Sequence, residues 1–178
     1  MTRRAGDRIA VNRAPVLTLW AAVVAERLGF DRDEALTLGR AVAGLNAQSK
    51  GQRLGLFAPG EARHHGRAAK PGEGLHVMLL HRAVPARRTS EGIRALAGGR
   101  PTSPESVERY LEARFGDRLE NARRAMAELA ASVPKRELEE QGLEMYERFR
   151  PAVPSGAAGW GAKGVLDLAQ VRALAQRS

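Results

Sequence analysis

All four histidines fall between positions 64 and 81, as the adjacent pair His64 and His65 followed by His76 and His81, with Glu61 and Glu73 among them. Imidazoles and carboxylates gathered this closely are the residue types that hold a divalent cation. Their spacing works against a shared ligand set, because adjacent side chains on an extended chain point apart and residues five apart on a helix lie on different faces. Arg63 and Arg67 stand in the same stretch and would oppose a dication. The expectation is no metal site and no cofactor, with His64 and His65 extending a cationic loop as hydrogen-bond donors.

Two further patterns suggest chemistry and fail on spacing. Lys163 lies among Gly156, Gly159, Gly161 and Gly164 just ahead of a helix. A phosphate loop needs Ser or Thr after its lysine and a preceding strand, and neither is read here. The carboxylates Glu137, Glu139, Glu140, Glu144 and Glu147 interleave with Lys135, Arg136, Arg148 and Arg150, the pattern of a solvated helix face laced with ion pairs. The chain contains no cysteine, which removes thiolate nucleophiles, disulfides and cysteine-ligated zinc, and no serine stands in a nucleophile elbow. The reading leans away from an enzyme.

Charge carries the positive signal. The first 100 residues hold 17 Lys and Arg against 8 Asp and Glu, whereas residues 101 to 178 hold 12 of each. A compositional drift toward arginine would touch both halves, so the imbalance points to an anion-facing surface in one of them. Arginine also makes bidentate contacts to phosphate. Candidate contacts are Arg3, Arg4, Arg8 and Arg13 on an amino-terminal arm, Lys50, Arg53, Arg63, Arg67 and Lys70 on a basic loop, and Arg82, Arg87, Arg88, Arg94 and Arg100 beyond it. Trp20, Phe30 and Phe57 are the aromatic residues of this half, and the first two read as core. Backbone recognition of a duplex or of structured RNA is therefore favoured over stacking of a single strand.

The elements that must position these residues are mostly helical. Val16, Leu19, Trp20, Val23, Val24 and Leu28 recur at spacings of three and four, one apolar stripe on a helix that ends at Gly29. Asp31 caps a second helix carrying Leu36, Leu38, Val42 and Leu45, which fades at the polar stretch after Asn46. From Gly51 to Gly74 apolar periodicity disappears and glycine and proline recur, the mark of a long basic loop. Leu75 to Leu80 fits a helix or a strand, and residues 92–102, around Gly98 and Gly99, fit a small β-hairpin. Ser103 and Pro104 open a helix with Val107, Tyr110, Leu111 and Phe115 on one face, stopped by Gly116. Helices with Leu119, Ala122, Met126 and Leu129, then Leu138, Met145, Tyr146 and Phe149, follow. A glycine-rich connection around Trp160 leads to a last short helix with Leu168, Val171 and Leu174.

Val24 to Leu38 resembles a helix-turn-helix in spacing, with Ala25 in the first helix, Gly29 at the turn and Ala35 packing the second. That resemblance implies bases read by the second helix's amino terminus, where this chain places Asp31, Asp33 and Glu34. Ala21 to Lys50 also resembles in rhythm the helices leading into the metal site of HD-type phosphohydrolases. The matching positions read Leu45, Asn46, Ala47, Gln48, Ser49 and Lys50, without the His and Asp ligands, so the resemblance implies no metal-dependent hydrolysis.

The expected fold is mainly α, a helical hairpin plus a long basic loop followed by a small helical bundle. The charge split suggests a basic domain at 1–100, with its loop at 51–74, and a neutral bundle at 101–178. Arg3 to Arg13 ahead of the apolar run Val16 to Ala25 mimics a secretory signal, but the helical pattern continues through Glu26 and Arg27, so a cytoplasmic protein without a membrane segment is expected. The expected partner is nucleic acid, DNA before RNA, gripped through the phosphate backbone, with a homodimer through the carboxyl bundle. The alternatives are a helical adaptor docking an acidic protein and an enzyme acting on a phosphorylated small molecule.

Overall fold

The computed structural model describes residues 7–53, 74–152 and 164–177, with the backbone alone for 48–53. The fold is mainly α with a four-stranded antiparallel sheet and a separate two-stranded one. Strand β1 (Arg8–Val11) leads into helices α1 (Arg13–Arg27) and α2 (Arg32–Arg53). Strands β2 (Leu75–Leu79), β3 (Arg82–Thr89), β4 (Gly92–Ala97) and β5 (Arg100–Pro101) form a meander in that spatial order. Helices α3 (Pro104–Phe115), α4 (Leu119–Ala131) and α5 (Lys135–Phe149) follow, with a 3₁₀ turn at Gly116–Arg118. Strand β6 (Gly164–Asp167) then pairs antiparallel with β1 and leads into α6 (Leu168–Arg177).

The eleven consecutive residues Pro15 to Ala25 of α1 are all buried. Leu17, Thr18, Ala21 and Ala22 lie off the expected stripe and are covered as fully as Leu19 and Trp20. A helix apolar all round is the one other elements wrap, and α2, α3, α4 and α5 all pack against α1. The Trp20 indole donates from Nε1 to the Gly142 carbonyl at 2.8 Å and meets Phe149 edge-on at 5.3 Å. Buried residues from both halves of the chain, among them Val16, Leu38, Leu111, Met126, Leu138 and Phe149, belong to one continuous core.

The turn from α1 to α2 is written in local chemistry. Gly29 takes φ +115°, and the Gly29 and Phe30 amides return to the Glu26 and Ala25 carbonyls at 3.1 and 3.0 Å, satisfying the end of α1. Asp31 Oδ1 then accepts from the Glu34 amide at 2.8 Å while Glu34 Oε1 accepts from the Asp31 amide at 3.1 Å, a reciprocal cap on α2. The two helices touch backbone to backbone at Gly39, where a Cβ would stand 2.6 Å from the Thr18 carbonyl oxygen.

The first half of α2 also carries β4. Glu34 Oε2 accepts from the Ile93 amide at 2.9 Å, and the buried Thr37 hydroxyl accepts from the Ala95 amide at 3.1 Å. At its other end the sheet is pinned through the β2–β3 turn. Leu80 and His81 hold φ of +50° and +63°, unusual for residues with side chains. Leu80 is buried against α5 where Gly142 leaves no room for a Cβ, and His81 Nε2 donates to the Glu140 carbonyl at 2.7 Å.

Several boundaries differ from the sequence reading. Helix α2 runs through Asn46 to Arg53, so residues 51–53 are helical instead of opening the loop, and residues 54–73 lie outside the described residues. Leu75 to Leu79 is a strand, and the pairing of β4 with β5 around Gly98 and Gly99 is the last step of a four-stranded meander. A 3₁₀ turn separates the Gly116 stop from helix α4, which begins at Leu119. The pairing of β1 with β6 went unforeseen because its partners stand at opposite ends of the chain. Trp160 lies outside the described residues.

Gly39→Ala should destabilise the fold by about 1–3 kcal/mol through overpacking. Gly44→Ala on the same helix, at an exposed site with nothing within 4 Å of the added Cβ, should stabilise it by up to about 1 kcal/mol. Opposite shifts in the urea midpoint are the expected result. Burial pushes the Tyr146 hydroxyl up to about 12, with Arg150 and Arg13 pulling the other way. The unfolded chain releases this proton near the ordinary value of 10, so the contribution to stability is present below that pH and is lost as pH rises toward 12. Tyr146→Phe should flatten that part of the stability profile, measured by denaturation from pH 9 to about 12.

Candidate nucleic-acid interface

The fold sorts the candidate cations into different duties. Arg3, Arg4, Arg63, Arg67 and Lys70 lie outside the described residues, and Lys50 and Arg53 sit on the last turns of α2. Arg8 is exposed on β1 opposite Asp167. Arg13, at the first position of α1, donates from Nε to the Pro151 carbonyl at 2.9 Å, and its own carbonyl accepts from the Tyr146 hydroxyl at 3.3 Å. Its side chain ties α1 to the chain two residues past the end of α5, which is a structural duty.

Arg94 corrects the sequence reading. It is 5% exposed, donating from Nη1 to the Ile93 carbonyl at 3.0 Å and from Nη2 to the Glu91 carbonyl at 3.3 Å. The Glu91 and Asp33 carboxylates each stand 3.9 Å from Nη2. A buried guanidinium needs such company, and it leaves this arginine turned into the protein, away from any phosphate.

The other sheet arginines are placed differently. Residues 74–102 hold five arginines and one carboxylate, Glu91, which is engaged with Arg94. Arg82 is half-buried and donates from Nη2 to Asn46 Oδ1 at 3.0 Å. Its Nε is buried without a partner among the described residues. Arg87 and Arg88 are neighbours on β3, half-buried and exposed respectively, and Arg100 is exposed on β5 with β4 between. No ion pair joins Arg82, Arg87, Arg88 or Arg100 to a carboxylate of the described residues. Elsewhere arginines are neutralised locally, as where Arg32 and Arg123 share Glu108 and where Arg172 meets Asp7 at 2.7 Å.

Beside this sheet lies a groove that the sequence reading missed. It measures about 700 Å³ and runs between α2, the sheet and the start of α3. Arg40, Gly44 and Leu45 form the α2 wall, Pro85 and Leu96 the sheet wall, and Thr102, Ser106 and Tyr110 the third. The Arg40 guanidinium stands 4.4 Å from the Tyr110 ring centre, and that of Arg114 stands 5.5 Å from it. Burial raises the Tyr110 hydroxyl above its usual value, with Arg40 and Arg114 pulling the other way. Arg40 and Tyr110 are seventy positions apart and belong to elements that read separately as amphipathic helices, so no local pattern announces their meeting.

The helix-turn-helix spacing does not become a reading head. The amino terminus of α2 is occupied by its own cap and by the Glu34 bond to β4, and α1 is buried from Pro15 to Ala25. Comparison with known proteins finds no matching family model, no similar curated protein and no similar solved structure.

Arg94→Met should cost about 1–3 kcal/mol, because carbonyls and carboxylates at the edge of the sheet lose their donor. Arg88→Ala should stay within about 0.5 kcal/mol. Urea denaturation of the two variants beside the parent separates the structural arginine from the surface one.

Proposed function

We propose that the protein binds nucleic acid, DNA in preference to RNA, through the phosphate backbone. The observation that carries this reading is the sheet segment 74–102, whose one carboxylate is engaged with the inward-turned Arg94 while Arg82, Arg87, Arg88 and Arg100 meet no carboxylate among the described residues. The stretch 54–73, with Arg63, Arg67 and Lys70, directly precedes this segment in the sequence and adds to its excess of cations. Arginines held on strands of one sheet suit phosphates, which fix position without reading sequence. Residues 74–102 contain no Phe, Tyr or Trp, which favours a duplex backbone over stacked single-stranded bases. Binding proceeds by release of the counterions condensed on the duplex. Helix α2 backs this sheet, and the helices α3 to α5 offer their outer faces for a homodimer. Within the described residues no helix is long and apolar enough to cross a membrane.

The test is fluorescence anisotropy of a labelled duplex of about 30 base pairs, as DNA and as RNA, across a salt series. Affinity should fall linearly with salt on logarithmic axes. Changing Arg87, Arg88 and Arg100 together to alanine should lower that slope by roughly 2–3, about 0.9 for each phosphate left without its cation. Absence of binding by the parent at low salt would overturn the reading, and so would a variant whose slope equals the parent's.

A further inference from the structure

The groove beside the sheet has the makings of a separate site. Its volume of about 700 Å³ falls within the range of small-molecule pockets, roughly 300–1,000 Å³. Its lining holds one formal charge, the Arg40 guanidinium, and no carboxylate. No ion pair engages Arg40 among the described residues; its neighbour there is the face of Tyr110. A guanidinium laid over an aromatic ring keeps its N–H edge available, and that fork matches two oxygens of a phosphate or carboxylate. The rest of the lining divides between apolar side chains, Leu45, Pro85, Leu96 and Val107, and the hydroxyls of Thr102 and Tyr110. One charged anchor, a few polar groups and apolar walls are what a small organic anion requires.

We propose that this groove binds a phosphomonoester carried on a compact apolar body, with Arg40 holding the phosphate and the walls from α2, β3 and β4 flanking the body. Long nucleic acid is the ligand of the arginines on the strands, and the groove ligand is of metabolite size. This site does not depend on the nucleic-acid reading, since none of Arg82, Arg87, Arg88 and Arg100 lines it. Gly44 supplies a clean way to block it. It lines the groove, is exposed within α2, and has nothing within 4 Å of an added Cβ, so a leucine there fills the space without displacing the core.

Calorimetric titration of the full chain with phenyl phosphate, phenol and inorganic phosphate tests the site. Saturable one-to-one binding of phenyl phosphate is expected, with phenol and inorganic phosphate each at least about tenfold weaker, because each supplies half of the interaction. Gly44→Leu and Arg40→Gln should each weaken phenyl phosphate by about tenfold or more, with the melting temperature of Gly44→Leu at or above that of the parent. The variant lacking Arg87, Arg88 and Arg100 should bind it as the parent does. Lack of saturable binding by the parent overturns the proposal, as does equal affinity in Gly44→Leu. Duplex binding measured on Gly44→Leu keeps the two readings apart. Loss of phenyl phosphate with duplex binding retained supports both sites. Phenyl phosphate binding by a parent that ignores duplexes leaves the groove standing and removes the nucleic-acid interface.

Discussion

The contact on which the rest depends is the backbone approach of α1 and α2 at Gly39. A Cβ there would stand within 2.6 Å of the Thr18 carbonyl oxygen, so the two helices lie as close as their main chains permit. At that separation Leu38 and Val42 of α2 are fully buried, and the covering of α1 is completed by α3, α4 and α5. Eleven consecutive buried residues leave the middle of α1 no solvent face, so the elements around it take their positions from this helix.

From that pair the sheet is hung at two points. Along α2, Glu34 and Thr37 accept the Ile93 and Ala95 amides of β4, which satisfies backbone donors a helix could not pair by packing alone. Across the molecule, Leu80 and His81 seat the β2–β3 turn on α5 beside Gly142, whose carbonyl also receives the Trp20 indole. Positive φ at Leu80 and His81 costs conformational energy, and burial of the Leu80 side chain offsets it. Strand β3, which carries Arg82, Arg87 and Arg88, is thus held between the central helices and α5, a mount for cations and for one wall of the groove.

Local rules made much of the helical layout readable. The Gly29 stop, the Asp31 and Glu34 cap and the Ser103 and Pro104 start depend on residues within five positions of one another, and each is present. The sheet was harder, because strand β3 runs Arg82, Ala83, Val84, Pro85, Ala86, Arg87, Arg88 and its apolar alternation is thin until Val77 and Val84 are seen to pair. The 4-residue β1 shows the alternation of a strand, Ile9 and Val11 inward and Arg8 and Ala10 outward, yet it is too short to be distinguished from an arm without its distant partner.

What the sequence determined by itself is the helical class, the caps and stops of the main helices, and the excess of cations in the first half, since propensity, capping and charge are properties of neighbouring residues. What only the tertiary structure decided is which cations face outward. Arg94 and Arg87 are paired across β3 and β4 and read alike as basic residues on strands, but one lies against Asp33 and Glu91 and is buried while the other stays half-exposed. The groove is a product of assembly as well, since its guanidinium, aromatic ring and apolar walls come from three segments that meet once α2, the sheet and α3 have packed. Local composition cannot encode such a meeting, because the free energy that brings the segments together is the burial of the core beneath them.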